Sequence, residues 1–222
     1  MLPLPDELIA FISIITIDIL LGGDNAVVIA LASRNLPESK RNKAILLGTG
    51  LAVILRAGLT ILVVYLLQIP LLHILGGFLL IFIAYTLLVD KPDSPHIHGS
   101  TSTVRAVQTI VFADLIMGLD NVLAVAGAAR GEIYLVVIGL LFSVPIIIWG
   151  SKLILRVMNR FPAFIYIGSG ILVFTAARMI TNAPQFKPFF SENPRLALAA
   201  WVMAVFVILT SGWITNQTRA NR

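Results

Sequence analysis

Long hydrophobic runs separated by short polar segments make up almost the whole chain. A helix needs about 20 mainly apolar residues to cross the hydrocarbon core of a bilayer. On that measure we predict seven membrane spans, at residues 8–33, 44–68, 71–89, 105–129, 132–152, 162–181 and 196–215. Segments rich in proline, asparagine or charge, such as RNLPESKRNK (34–43) and NAPQFKPFFSENPR (182–195), lie between them. The pattern predicts an all-α membrane protein.

The composition agrees with a lipid environment. Of the 222 residues, 58% are hydrophobic and only 12% are charged, whereas about 25% charged is usual for soluble domains. The chain has no cysteine, which excludes a disulfide framework and a thiolate metal site. No nucleic-acid motif competes with this interpretation, although the net charge is +5.

The basic residues predict an orientation, because loops on the cytoplasmic side carry an excess of Lys and Arg. With seven spans, ten basic residues fall on one side of the membrane and four on the other. We therefore expect a multi-pass protein of the plasma or inner membrane, with the N-terminus outside and the C-terminus in the cytoplasm. The first set is Arg34, Lys40, Arg41, Lys43, Lys91, Arg105, Arg156, Arg160, Arg219 and Arg222; the second is Arg130, Arg178, Lys187 and Arg195.

An internal repeat is the strongest signal in the sequence. The segment TIDILLGGDNAVVIALASR (16–34) aligns with FADLIMGLDNVLAVAGAAR (112–130) at an offset of 96 positions. The same offset carries Arg56 onto Lys152. The alignment pairs Asp18 with Asp114, Gly22 with Gly118, Asp24 with Asp120, Asn25 with Asn121 and Arg34 with Arg130.

The repeat predicts the organisation of the chain. We expect a single membrane domain (1–222) with three-helix repeats at 8–90 and 105–181, a cytoplasmic linker at 91–104 and a seventh helix at 196–215. Because three is odd, the second repeat enters the membrane from the opposite side. Inverted repeats of this kind are typical of secondary transporters with a binding site near the membrane midplane.

The repeated aspartates lie near the centres of the first and fourth spans. Insertion scales give a cost of about 2.5 to 3.5 kcal/mol for a charged side chain there, so such groups face a cavity, pair with a partner or bind a cation. On an unbroken helix, positions seven apart share a face, as Asp18 and Asn25 do, whereas Asp24 is turned by about 120°. Unwinding at Gly22, Gly23 and Gly118 would bring the aspartates together. The alternative for a single Asp-Asn pair is a helix N-cap.

Carboxylate and amide oxygens favour hard divalent cations such as Mg²⁺, Ca²⁺ and Mn²⁺. The predicted metal site consists of Asp18, Asp24, Asn25, Asp114, Asp120 and Asn121. Four carboxylates around one dication leave excess negative charge, which either Arg56 and Lys152 or protonation of an aspartate would offset. Protonation would couple cation entry to proton release. The alternative for the two basic residues is snorkelling to the interface.

The pairs DILLGGDN and DLIMGLDN in a seven-helix chain of this length resemble the TerC family of integral membrane proteins, and within it the short YjbE-like members. The likeness covers roughly residues 8–215. This resemblance implies manganese export and protection against metal excess, with Mn²⁺ as transported substrate held by the six Asp and Asn residues. Ligand type alone leaves Mg²⁺ and Ca²⁺ open.

Two other functions are compatible with parts of the pattern. The first is an anion or amino-acid transporter centred on Arg56 and Lys152, with the aspartates as counter-ions. The second is an intramembrane aspartyl protease, which we disfavour because the chain has two symmetry-related pairs of aspartates. We expect a transporter and not an enzyme. His96 and His98 fit a solvated linker better than a metal sensor, and the oligomeric state is open.

Overall fold

The computed structural model describes residues 6–66, 71–89, 99–129 and 132–220. These residues form nine α-helices and no strand, which confirms the all-α prediction. The helices are α1 (Asp6–Leu21), α2 (Gly23–Ser33), α3 (Glu38–Leu66), α4 (Leu72–Val89), α5 (Gly99–Ala128), α6 (Ile133–Arg160), α7 (Phe164–Thr181), α8 (Lys187–Glu192) and α9 (Pro194–Ala220).

Within the described part of the chain, five helices are long and apolar enough to cross a membrane: α3, α4, α6, α7 and α9. The pair α1 and α2, bent by 48° at the break between them, would make a sixth span. The protein is thus a multi-pass membrane protein. Helix α5 corresponds to the remaining predicted span, and the total of seven stays a prediction.

Several helix boundaries differ from the predicted ones. Helix α3 begins at Glu38, inside the predicted segment 34–43, and α6 extends to Arg160 instead of ending at 152. Two further loops contain helix that was not predicted. Helix α5 begins at Gly99, inside the predicted linker 91–104, and residues 91–98 of that linker, with His96 and His98, lie outside the described residues. The predicted loop at 182–195 contains the short helix α8. Turn signals located both loops, but they did not reveal helical structure within them.

The chain divides into two compact units. The first contains α1, α2, α3, α5 and α6 as far as Arg156. Its core includes the buried side chains of Ile14, Val125 and Leu140. Helices α1 and α2 both pack against α5, so the two segments that the repeat aligns are neighbours in this unit.

The second unit contains α4, α7, α8 and α9. Its main contact joins α4 to α7, the two third helices of the predicted repeats, and α9 packs on both. A Cβ atom added at Gly77 of α4 would lie 3.0 Å from the Ala176 carbonyl oxygen of α7. The small residue therefore allows the two helices to approach closely. The Asn216 amide of α9 donates to the Leu88 carbonyl over 3.3 Å.

Candidate functional site

A buried arginine joins the two aspartates that the repeat aligns. Arg56 of α3 donates through Nη1 to the Asp18 carboxylate of α1 and through Nη2 to the Asp114 carboxylate of α5. The relative exposures of these three side chains are 4%, 1% and 13%. A planar guanidinium presents its donors as a fork, which suits one cation held between two carboxylates. With all three groups ionised, the cluster carries one net negative charge.

One face of α3 positions the arginine. Thr49, Ala52, Val53 and Arg56 all line the same pocket. Their spacing of three, four and seven residues places them on one side of an α-helix. Arg56 therefore lies at the end of a stripe that faces the aspartates.

Asn25 reaches this cluster from the far side of the helix break. Its Nδ2 donates to Asp114 Oδ1 over 2.9 Å, and Asn25 is 2% exposed. The break falls at Gly22, where an added Cβ would collide with the Asp18 carbonyl oxygen. Helix α2 starts at Gly23, so Asn25 lies in its first turn. The prediction that the first span is interrupted at its glycine pair is confirmed.

The corresponding prediction for Gly118 is wrong. Helix α5 runs unbroken from Gly99 to Ala128. A Cβ added at Gly118 would lie 3.3 Å from Arg56 Nε. Gly118 therefore makes room for the guanidinium and does not unwind the helix.

Two hydroxyl residues of this site were missed by the sequence interpretation. Ser143 of α6 is fully buried and donates to the second oxygen of the Asp18 carboxylate. Thr49 is 4% exposed, and its Oγ1 has no hydrogen-bond partner among the described residues. Serine and threonine are common in membrane helices, so neither residue stood out. The spacing of Thr49 from Arg56, two turns earlier on one face, was the available signal.

These side chains line a small pocket. Its polar lining is Asp18, Asn25, Thr49, Arg56 and Asp114, and its apolar lining includes Val28 and Ile147. The free volume is about 10 Å³, close to the minimum that one water molecule requires. The Asn25 Oδ1 atom, like Thr49 Oγ1, is buried without a hydrogen-bond partner in the described part of the protein. The pocket thus combines carboxylates with two uncommitted neutral oxygen atoms.

The other predicted site residues are distributed differently. Asp24 is half-buried in the first turn of α2 and interacts electrostatically with Arg56. Asn121 of α5 is buried, and the side chain of Asp120 lies outside the described residues. Lys152 is exposed and does not line the pocket.

Among the described residues, no three Asp, Glu, His or Cys side chains are grouped closely enough to hold a metal ion. Of the predicted site residues, Asp18, Asn25 and Asp114 come together around Arg56, and their role as metal ligands stays a prediction. The convergence of all four aspartates on one ion stays a prediction.

The fold and the pocket define a polytopic α-helical membrane protein with a buried carboxylate and arginine site. Residues 4–219 match the family described as integral membrane protein TerC family, and the chain belongs to that family. This finding confirms the resemblance seen in the repeated motifs.

Among similar proteins, the uncharacterized membrane protein YjbE of Bacillus subtilis (strain 168) is 52% identical over 207 residues, which cover 93% of this chain and 95% of YjbE. The UPF0053 inner membrane protein YoaE of Escherichia coli (strain K12) is 26% identical over 79% of this chain and 38% of YoaE. YegH of the same organism is 23% identical over 79% of this chain and 37% of YegH. No solved structure matches the chain significantly.

Proposed function

We propose that this protein is a secondary transporter that exports a hard divalent cation, with Mn²⁺ as the preferred substrate. The observation that carries the proposal is the convergence of Asp18, Asn25 and Asp114 on one buried pocket. Two carboxylates buried near the middle of membrane helices are costly, and the single guanidinium of Arg56 offsets only one of their two charges. The unpartnered oxygens of Asn25 and Thr49 add neutral ligands of the kind that Mg²⁺, Ca²⁺ and Mn²⁺ accept.

The preference for manganese rests on the family resemblance, since oxygen ligands alone do not separate the three ions. The remaining predicted ligands, Asp24, Asp120 and Asn121, belong to the same proposal. They would complete an octahedral set of oxygen donors after a rearrangement of α2 against α5. Helix breaks at ion sites are a known feature of transporters, and the break at Gly22 would allow such a movement.

The architecture that we propose for transport is a pair of inverted three-helix repeats. Its support is that corresponding helices of the two predicted repeats pack against each other: α2 with α5 in the first unit, and α4 with α7, the third helix of each repeat, in the second. A two-fold axis in the membrane plane would produce this pairing. The proposed orientation, with the C-terminus in the cytoplasm, rests on the distribution of basic residues.

Proton exchange is the proposed coupling. Asp18 and Asp114 share a single guanidinium, so at least one further positive charge or proton is needed to neutralise the cluster. A dication that enters would expel such a proton. We expect Mn²⁺ binding to strengthen as the pH rises from 5 to 8 and to release protons into weak buffer. Binding that is independent of pH over this range would remove proton exchange and leave the cation site intact.

An anion or amino-acid transporter is the second candidate, because Arg56 already uses the two aspartates as counter-ions. Against it, Lys152 is exposed and does not line the pocket with Arg56. The two functions differ in which charge is essential. Removal of Arg56 should abolish binding of an anionic substrate, whereas removal of an aspartate should abolish binding of a cation.

Isothermal titration of the purified protein with Mn²⁺, Mg²⁺, Ca²⁺ and Zn²⁺, together with uptake into proteoliposomes, tests the proposal. Asp18→Asn and Asp114→Asn should each weaken Mn²⁺ binding by about 10-fold or more, since each removes a full charge from the site. Glu192→Gln is the matched control, because Glu192 is exposed on α8. Wild-type protein that binds none of the four ions would overturn the proposal.

A further inference from the structure

Both oxygen atoms of the Asp18 carboxylate are engaged within the protein. Arg56 donates to Oδ1 and Ser143 donates to Oδ2. Asp114 Oδ1 accepts from both Arg56 and Asn25. A cation that uses these carboxylates must therefore replace an existing partner.

We propose that Arg56 is an internal competitor of the transported cation, and that its guanidinium leaves the two carboxylates when the cation binds. This inference rests on the proposed transport of a divalent cation. Of the three donors, only Arg56 carries a positive charge. A dication beside a guanidinium in a low-dielectric pocket would be repelled, whereas the hydroxyl and amide groups can turn their oxygens toward it.

The size of the pocket favours replacement of the guanidinium by the cation over binding of the cation beside the guanidinium. Its free volume of about 10 Å³ is close to that of one water-sized sphere. An octahedral cation needs six oxygen ligands at about 2 Å, which this space does not provide while the guanidinium fills the gap between Asp18 and Asp114. Departure of the guanidinium would open that gap and release the oxygens of both aspartates.

Few polar contacts hold the Arg56 side chain in place among the described residues. Its Nε has no hydrogen-bond partner among the described residues, and Gly118 presents no side chain against it. Ion pairs with Asp18 and Asp114 hold the guanidinium, so a cation that takes over both carboxylates removes those two restraints. When the cation leaves, Arg56 pairs with both carboxylates again. Neither carboxylate is then left buried without a partner.

Arg56→Met tests the competition, because methionine keeps apolar bulk and removes the charge. We expect Mn²⁺ to bind about 10-fold or more tightly to this variant than to the wild type, within the range typical of coupling between two ligands. Transport should be slower, because the cation is released less readily. Arg156→Ala, at an exposed position of α6, is the control for loss of one positive charge. Unchanged or weaker binding in Arg56→Met would overturn the inference.

Arg56→Lys provides a second measurement if Arg56→Met does not fold. Lysine keeps the charge, which preserves pairing with one carboxylate, but it lacks the fork that bridges two. Mn²⁺ should therefore bind more tightly to Arg56→Lys than to the wild type, although less tightly than to Arg56→Met. Binding equal to or weaker than that of the wild type would contradict the competition.

Arg56→Ala leaves a space that free guanidinium can enter. In this variant, millimolar guanidinium chloride should raise the apparent Kd for Mn²⁺ competitively, and sodium chloride at equal concentration should not. Wild-type protein should show no such competition. If guanidinium chloride leaves the apparent Kd of Arg56→Ala for Mn²⁺ unchanged, this would count against a position shared by the guanidinium and the cation. If the wild type binds none of the four ions, or if Asp114→Asn leaves Mn²⁺ binding unchanged, the proposed function itself fails; if both behave as expected and only the Arg56 results disagree, this inference alone fails.

Discussion

Asn25 and Asp114 are joined by a hydrogen bond of 2.9 Å, although 89 positions separate them in the sequence. Asn25 belongs to the first copy of the repeated motif and Asp114 to the second. The bond therefore links the two copies directly. It also orients the amide so that Oδ1, which has no partner among the described residues, is left available within the pocket.

This contact predicts energetic coupling between the two residues in cation binding. Asn25→Ala and Asp114→Asn should each weaken Mn²⁺ binding, and the double variant should lose less than the sum of the two. We expect an interaction energy of about 0.5 to 3 kcal/mol, as is typical for residues in contact. Isothermal titration of the four proteins measures it. Asn42→Ala, at an exposed position on α3, is the control. Additive losses would show that Asn25 and Asp114 act on separate ions.

Gly118 and Gly127 of α5 offer a second, internally controlled prediction. An added Cβ at Gly118 would lie 3.3 Å from Arg56 Nε, whereas one at Gly127 would meet no atom of the described residues within 4 Å. Overpacking of a buried contact costs about 1 to 3 kcal/mol. Gly118→Ala should therefore lower the thermal unfolding midpoint, and Gly127→Ala should not, since alanine favours a helix over glycine. The loss at Gly118 should diminish in an Arg56→Met background. An equal loss in both backgrounds would disprove the role assigned to this glycine.

Much of this site followed from the repeat. Alignment of Asp18 with Asp114 and the position of Arg56 inside an apolar run identified three charged residues that the structure brings together. The alignment could identify these residues because buried charges in membrane helices must find partners. The helix break at Gly22 also followed from the glycine pair.

The remaining features depend on three-dimensional packing. Gly118 has the same place in the motif as Gly22, yet its neighbour is the Arg56 side chain, and α5 has no reason to break there. Ser143 and Thr49 were missed because single hydroxyl groups in apolar helices can also bond to their own backbone. Only the fold places Ser143 against Asp18. Arg56 is buried and Lys152 is exposed. The alignment of their sequence positions could not predict this difference either.

The proposed orientation yields a direct labelling experiment, because the chain has no cysteine. Ser39 and Ser191 are exposed and fall in the first and sixth predicted loops. Ser39→Cys should react with a membrane-impermeant maleimide only after the membrane is opened, whereas Ser191→Cys should react from outside in intact cells. The cysteine-free parent is the control. Labelling of Ser39→Cys from outside would reverse the assignment of the termini.

The last prediction concerns the aspartates that the repeat places six positions after Asp18 and Asp114. If Asp24 and Asp120 join them around one ion, each Asp→Asn change removes a charge with little change in volume. Mn²⁺ export should then fall strongly in each variant, while insertion into the membrane is preserved because a buried charge has been removed. Asp24→Asn combined with Asp120→Asn should cost less than the sum of the single losses, since residues that share an ion are coupled.

Two independent sites would instead give additive losses and two metal equivalents at saturation. An export assay on these variants, with protein levels measured in the membrane, distinguishes the two arrangements. Asp24 is the more informative residue of the pair, because it lies in the first turn of α2 and outside the lining of the pocket. Loss of export in Asp24→Asn would therefore indicate either that α2 turns at Gly22 during transport or that the electrostatic interaction of Asp24 with Arg56 is needed. Full export by Asp24→Asn and Asp120→Asn would restrict the site to Asp18, Asn25 and Asp114, and would refute the four-carboxylate prediction.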